Sequence, residues 1–347
     1  MRLRLLGNTG IKVSEICLGA MTFGEESGFG AAKDECRRVY DAYRAAGGNF
    51  VDTANIYSKG TSERFVGEFI AAERGQIVLA TKYSMIADPT NPNAGGNSRK
   101  NLQQSLEASL RRLGTDYVDL YWVHSWDGLT GIDEVLRALD DAVRSGKVLH
   151  VGFSNVPAWV VSRLQTTAEL RGWSRIAALQ LHYSLVERNI ERELVPCARA
   201  LGMAITAWSP LAGGLLTGKY ADDATARASQ PGRLTTTNWG RMFVNERNLA
   251  IVTALRQVAA RLGRTPAQVA IRWLMQQPGN VIPIIGVRSL AQLDDLLGAA
   301  GFALDAEALV ALDEVGRPPP AYPGSLIGGP AGRAMLHGEF ATQIDMP

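Results

Sequence analysis

Short apolar runs and amphipathic stretches alternate along most of the chain. Runs at residues 15–18, 50–52, 77–81, 118–122, 148–152, 178–181, 204–207 and 281–284 have the length and the β-branched or aromatic content of buried strands. Between them, apolar residues recur at helical spacing over 34–46, 62–72, 98–113, 132–145, 156–170, 190–201, 244–262 with 266–276, and 289–299. Repeated strand–helix alternation implies a parallel sheet, and eight units favour closure into a (β/α)8 barrel over an open sheet. Ahead of the first unit, residues 3–6 and 11–13 flank Gly7-Asn8-Thr9-Gly10, which predicts an N-terminal β-hairpin plugging the barrel bottom.

Two segments break the rhythm. Residues 212–243 are too long for an ordinary connection and rich in Gly, Thr, Asn and Ala, and a long loop in a compact domain is usually functional or disordered. After a last helical pattern at 305–315, Pro318-Pro319-Pro320 is expected to end regular structure, leaving a tail over 317–347 that either covers the barrel mouth or frays. With no repeat beyond the strand–helix unit and no separate linker, residues 1–347 read as one domain.

Three successive strand patterns release polar chemistry at their C-terminal ends. Residues 50–52 end in Asp52, with Tyr57 five positions on; 77–81 are followed by Lys82; and 118–123 are followed by His124. In a (β/α)8 barrel these ends converge over one mouth, the face that carries active sites. A phenol near a carboxylate gains chemical meaning when a lysine joins them.

Further along stand Gly152-Phe153-Ser154-Asn155, Gln180 with Tyr183, Trp208-Ser209-Pro210-Leu211, Gly218-Lys219 and Gly286-Val287-Arg288, each after a strand pattern. With these residues in this order, most of the chain resembles the aldo-keto reductases, in particular their potassium-channel β-subunit-like, bacterial-type branch. The resemblance implies a barrel enzyme using NADPH, with Asp52, Tyr57, Lys82 and His124 as its catalytic tetrad. It also implies that Ser154, Asn155 and Gln180 hold the nicotinamide carboxamide and that Trp208 stacks on the ring. Lys219 would meet the pyrophosphate and Arg288 the 2′-phosphate, with Met21, Ser209, Leu211, Gly213, Gly286 and Gln292 as further cofactor contacts. The 212–243 loop would fold over the cofactor. Where relatives commonly carry an acid followed by Asn toward the adenine, this chain has Asp295 and Leu296.

The implied roles make physical sense. A free phenol has a pKa of about 10, a reluctant acid at neutral pH. A lysine at about 4 Å would favour the phenolate by roughly 1 to 4 kcal/mol across effective dielectrics of about 80 to 20. Asp52 would hold that lysine charged and aimed, and His124 would orient the carbonyl oxygen. Trp126, two residues beyond His124, is expected in the substrate pocket and favours planar apolar substrates. The resulting expectation is reduction of aldehydes or ketones to alcohols. The alternative is an NADPH-binding sensor or regulatory subunit with little turnover, because the channel β-subunits keep this barrel and its cofactor. A phosphate-handling aldolase-type barrel would use the lysine without nicotinamide.

Composition adds exclusions. The 347 residues are 46% hydrophobic, enough for a large core, and a net charge of +2 with 20% charged residues and no long basic run disfavours nucleic acid as partner. No apolar run reaches transmembrane length, and the first residues already read as a strand, so a soluble cytoplasmic protein is expected. Cys17, Cys36 and Cys197 are odd in number, far apart and lack metal-ligand spacing, so neither disulfide nor zinc site is expected. Two motifs mislead. Gly213 to Lys219 fits the start of a phosphate-binding loop, but Tyr220 replaces the required Ser or Thr, and Gly28-Phe29-Gly30 lacks the third glycine and the preceding strand of a dinucleotide fingerprint. Nor does Lys follow Tyr57 by four positions, as a short-chain reductase requires; Thr61 stands there. Oligomeric state is open.

Overall fold

The computed structural model describes residues 1–219, 240, 242–327 and 329–344. Strands β1 (Leu3–Leu5) and β2 (Lys12–Ser14) form the antiparallel N-terminal hairpin. Eight further strands close into a parallel barrel: β3 (Cys17–Gly19), β4 (Phe50–Asp52), β5 (Val78–Tyr83), β6 (Val118–Val123), β7 (Val148–Ser154), β8 (Ile176–His182), β9 (Ala204–Trp208) and β10 (Val281–Ile285). Closure comes from β10, which pairs with β9 on one side and with β3 on the other.

The two-residue period of a strand divides the core in two. Phe50, Val78, Ala80, Leu120, Trp122 and Ala178 point inward and share a cluster with Leu6 and Val13 of the hairpin. Val51, Leu79, Tyr121, Val123 and Leu179 point outward and pack under the helices. The hairpin therefore plugs the barrel as expected, and its turn sits tight against the sheet. Gly7 has φ +58°, and a Cβ there would lie 2.2 Å from the Ala177 carbonyl oxygen. The same period puts Asp52 in phase with Phe50, Lys82 with Ala80, and His124 with Trp122, so these polar side chains belong to the inward set at the C-terminal rim.

The helices begin and end where their sequences dictate. Ser98 caps Arg99–Leu113 by accepting from the Asn101 amide. Thr265 and Gln268 form a reciprocal capping box ahead of Pro266–Met275. Two expectations need correction. A single helix over 190–201 is replaced by a short turn at Asn189–Glu191 and a helix at Leu194–Ala200. Pro196 has no N–H and its ring would collide with the Arg192 carbonyl of a continuous helix, so it is accommodated in a first turn. Regular structure also does not end at Pro318–Pro320, because Gly324–Ile327 and Pro330–His337 are helical. Pro330 starts the second, followed by the good helix formers Ala331, Arg333, Ala334, Met335 and Leu336. Most of the 212–243 loop lies outside the described residues. Among those described, no helix is long and apolar enough to cross a membrane, and no group of three or more His, Cys, Asp or Glu is placed to hold a metal ion.

Candidate active site

A cavity of about 530 Å3 opens at the C-terminal ends of the barrel strands. Asp52 lines it and pairs with Lys82 behind the wall. Lys82, on β5, is completely buried, donates to Asp52 Oδ2 in a very short contact, and donates to the Thr53 carbonyl at 2.7 Å. Burial pulls its ammonium pKa down, but attraction and hydrogen bonding to Asp52 and Tyr57 outweigh this, and the net shift is upward. Lys82 is thus held as a cation in the buried interior.

Tyr57 comes from the loop after β4, with its ring centroid 4.9 Å from Lys82 Nζ. The chain presents it on a constrained turn, since the next residues Ser58 and Lys59 have φ of 45° and 50° and Gly60 has φ 86°. Left-handed backbone at two consecutive non-glycine residues is costly and persists only where the surroundings enforce it. His124 packs edge-on to the Tyr57 ring, centroids 5.9 Å apart. Its Nδ1 is buried with no hydrogen-bond partner. Burial, with the charge of Lys82 second, lowers its pKa from 6.5 to about 3, so the imidazole is neutral throughout the physiological range.

That depression links His124 to acid stability. Because the unfolded chain takes up the proton near pH 6.5 and the folded one only near pH 3, the stability tied to His124 is present above that window and lost as pH falls through it. His124→Gln is expected to take up about one proton fewer on unfolding between those pH values. Calorimetric melting temperatures against pH check this: the variant should fall less steeply in acid, and parallel curves would contradict it.

Around these four groups the cavity wall holds every cofactor residue expected from sequence: Met21, Ser154, Asn155, Gln180, Trp208, Ser209, Leu211, Gly213, Lys219, Gly286, Arg288 and Gln292. Asn155 and Ser209 have φ of 49° and 53°, two more left-handed non-glycine residues on this wall. The Asn155 amide donates to the His124 carbonyl at 2.9 Å, and Ser154 Oγ to the Gln180 carbonyl at 2.7 Å. Ser289 caps the helix Leu290–Leu297, and the Gln292 side-chain oxygen accepts from the Arg288 amide at 2.8 Å. No carboxylate among the described residues pairs with the exposed Arg288 guanidinium.

A nicotinamide dinucleotide needs an aromatic face, amide partners for its carboxamide, and glycine-lined, positively charged walls for its phosphates. The cavity has each. Trp208 is stacked on His182, ring centroids 4.1 Å apart and 11° from parallel, and also lines the cavity. Gly213, Gly214 and Gly286 line the wall near Lys219 and Arg288, and a Cβ at Gly286 would project into space empty to 4 Å. The residues present fit the group.

Trp126 is placed elsewhere. Its amide donates to the Asn155 carbonyl at 3.3 Å and its half-buried indole packs on the outer core, and it is not among the residues lining the cavity. The tail residues 317–327 and 329–344 do not line it either. Sequence reasoning missed Phe29, Ile56 and Met85, which add apolar surface to the cavity wall, and also the contacts of Trp122 with Asp52 and of His182 with Trp208. His182 is the register partner of Trp208 on the neighbouring strand, a relation recoverable once the strand alignment is known.

Comparison with known proteins places this geometry in context. Residues 15–317 match the family described as "Aldo/keto reductase family". The chain is 38% identical over 337 residues to the uncharacterized oxidoreductase YrpG of Bacillus subtilis, an alignment spanning 93% of this chain and 99% of that protein. It is 36% identical over 315 residues to norsolorinic acid reductase stcV of Emericella nidulans, spanning 88% and 79% of the two chains. It is 35% identical over 326 residues to an aryl-alcohol dehydrogenase [NADP(+)] of Phanerodontia chrysosporium, spanning 90% and 84%.

Proposed function

The chain belongs to the aldo/keto reductase family, an oxidoreductase family, and on that premise we propose that it reduces aldehydes or ketones to alcohols with NADPH, using Tyr57 as proton donor. When bound beside Trp208, the reduced nicotinamide supplies the hydride. Tyr57 gives its phenolic proton to the carbonyl oxygen as negative charge develops there. Lys82 stabilises the phenolate left behind, and Asp52 keeps Lys82 charged and in place. His124, neutral, donates from Nε2 to the same oxygen and orients it.

Lys82 is the observation that carries this reading. A fully buried lysine paired with Asp52 has no packing rationale, because hydrophobic residues of similar volume are often as stabilising or more so at such positions. Proton chemistry beside Tyr57 supplies one. The family resemblance and the placing of all twelve expected cofactor residues on one cavity support the same conclusion.

The apolar side chains Met21, Phe29, Ile56 and Met85 on the wall of the cavity that holds Tyr57 support aromatic carbonyls as the substrate class. Two of the relatives are named for aryl-alcohol and norsolorinic acid chemistry, which agrees. Substituted benzaldehydes are expected to show higher kcat/KM than charged aldoses in steady-state NADPH oxidation. A panel in which the charged sugars clearly outperform the benzaldehydes would reverse this assignment.

A further inference from the structure

We infer that Trp122 is a positioning residue for the catalytic ion pair and acts through Asp52, an inference that rests on the tetrad reading above. Strand register sets Lys82 of β5, Trp122 of β6 and Gly152 of β7 side by side in one row. Trp122 is completely buried in the barrel interior, and its indole N–H donates to Asp52 Oδ1 at 3.0 Å. Gln180 Nε2 donates to the same oxygen at 3.0 Å, while Lys82 takes Oδ2. Each carboxylate oxygen therefore has its own donors.

The division matters because the terminal torsion of an aspartate is soft. Held by Lys82 alone, the carboxylate would rotate and carry the ammonium with it. Two neutral donors on Oδ1 stop that rotation and leave Oδ2 to Lys82, which keeps Nζ beside Tyr57. The fold makes room for the device. A Cβ at Gly152 would lie 2.3 Å from the Trp122 ring, so the indole can take this pose only across from a glycine. An indole can only donate, so no change of role can release Asp52.

Trp122→Phe keeps an aromatic side chain, smaller by the pyrrole half of the indole, and removes the donor. It is expected to lower kcat for benzaldehyde about tenfold while NADPH affinity stays within about twofold, the size of effect set by losing a hydrogen bond to a charged group. The limb of the kcat–pH profile belonging to Tyr57 and Lys82 should move as well, which a loss of packing alone would not cause. In an Asp52→Asn background the added loss should vanish.

A second readout needs no turnover. The chain has seven Trp, so the apoprotein gives seven indole N–H signals in a 1H–15N spectrum, and the one missing in Trp122→Phe is assigned to Trp122. That signal should shift in Asp52→Asn. An unmoved signal, a Trp122→Phe enzyme with wild-type kcat and pH profile, or a loss undiminished in Asp52→Asn would each overturn the proposal. If the wild-type protein reduces no carbonyl, the tetrad reading fails instead, and the indole signal still decides whether Trp122 holds Asp52.

Discussion

Tyr57→Phe is expected to bind NADPH as the wild type does yet to reduce a good aldehyde at least about a hundredfold more slowly, the low end for loss of a general acid. The substitution removes one oxygen and leaves the ring, so the edge-on contact with His124 is kept. Asp52 still accepts from Lys82, Trp122 and Gln180, so the buried cation is not left unpaired. Binding and chemistry should therefore separate. Titrating NADPH by fluorescence alongside steady-state reduction checks both halves, and near wild-type turnover would remove Tyr57 as proton donor.

Arg288→Ala is expected to shift the ratio of NADPH to NADH affinity toward NADH by about ten- to a hundredfold, since a hydrogen bond to a charged group contributes about 1.5 to 3 kcal/mol. Arg288 follows β10 just ahead of the helix Leu290–Leu297, whose dipole favours phosphate, while the Leu290 amide already donates to Glu35 and the Gln292 amide to Ser289. Its backbone is fixed by the bond from its amide to Gln292, and its exposed guanidinium is ready to grip a 2′-phosphate. Leu296 also lines the cavity but is apolar, so Leu296→Asn should change affinity for both cofactors alike. An unchanged affinity ratio in Arg288→Ala would place the selectivity elsewhere.

Much of this molecule was legible before its structure. The eight barrel strands are short apolar runs buried on both faces, a pattern that parallel sheets impose, and none of their ends differed from expectation by more than about two residues. Asp52, Lys82 and His124 could be placed together at the barrel mouth because each stands at or just after a strand end, where period and topology together fix its direction. Contacts across the barrel were not legible. Trp122 reads as one more apolar strand residue, and nothing in its neighbours reveals an acceptor seventy positions away. Phe29 and Met85 reach the cavity on irregular loops, which carry no period to read. Trp126 is not among the residues lining the cavity for a related reason: closeness in sequence to His124 did not survive the turn that binds its amide to Asn155. Most of the loop expected over the cofactor falls on residues 220–239 and 241, outside the described structure.

The most direct test is a single turnover. Protein loaded with one equivalent of NADPH is mixed rapidly with benzaldehyde, and nicotinamide absorbance is followed while the products are quantified. Complete loss of the reduced-nicotinamide signal, with NADP+ and benzyl alcohol formed in equal amounts, is the predicted result. Retention of bound NADPH, with no alcohol formed from benzaldehyde or from a wider panel of carbonyls, would contradict a reductase and leave a cofactor-binding sensor in its place.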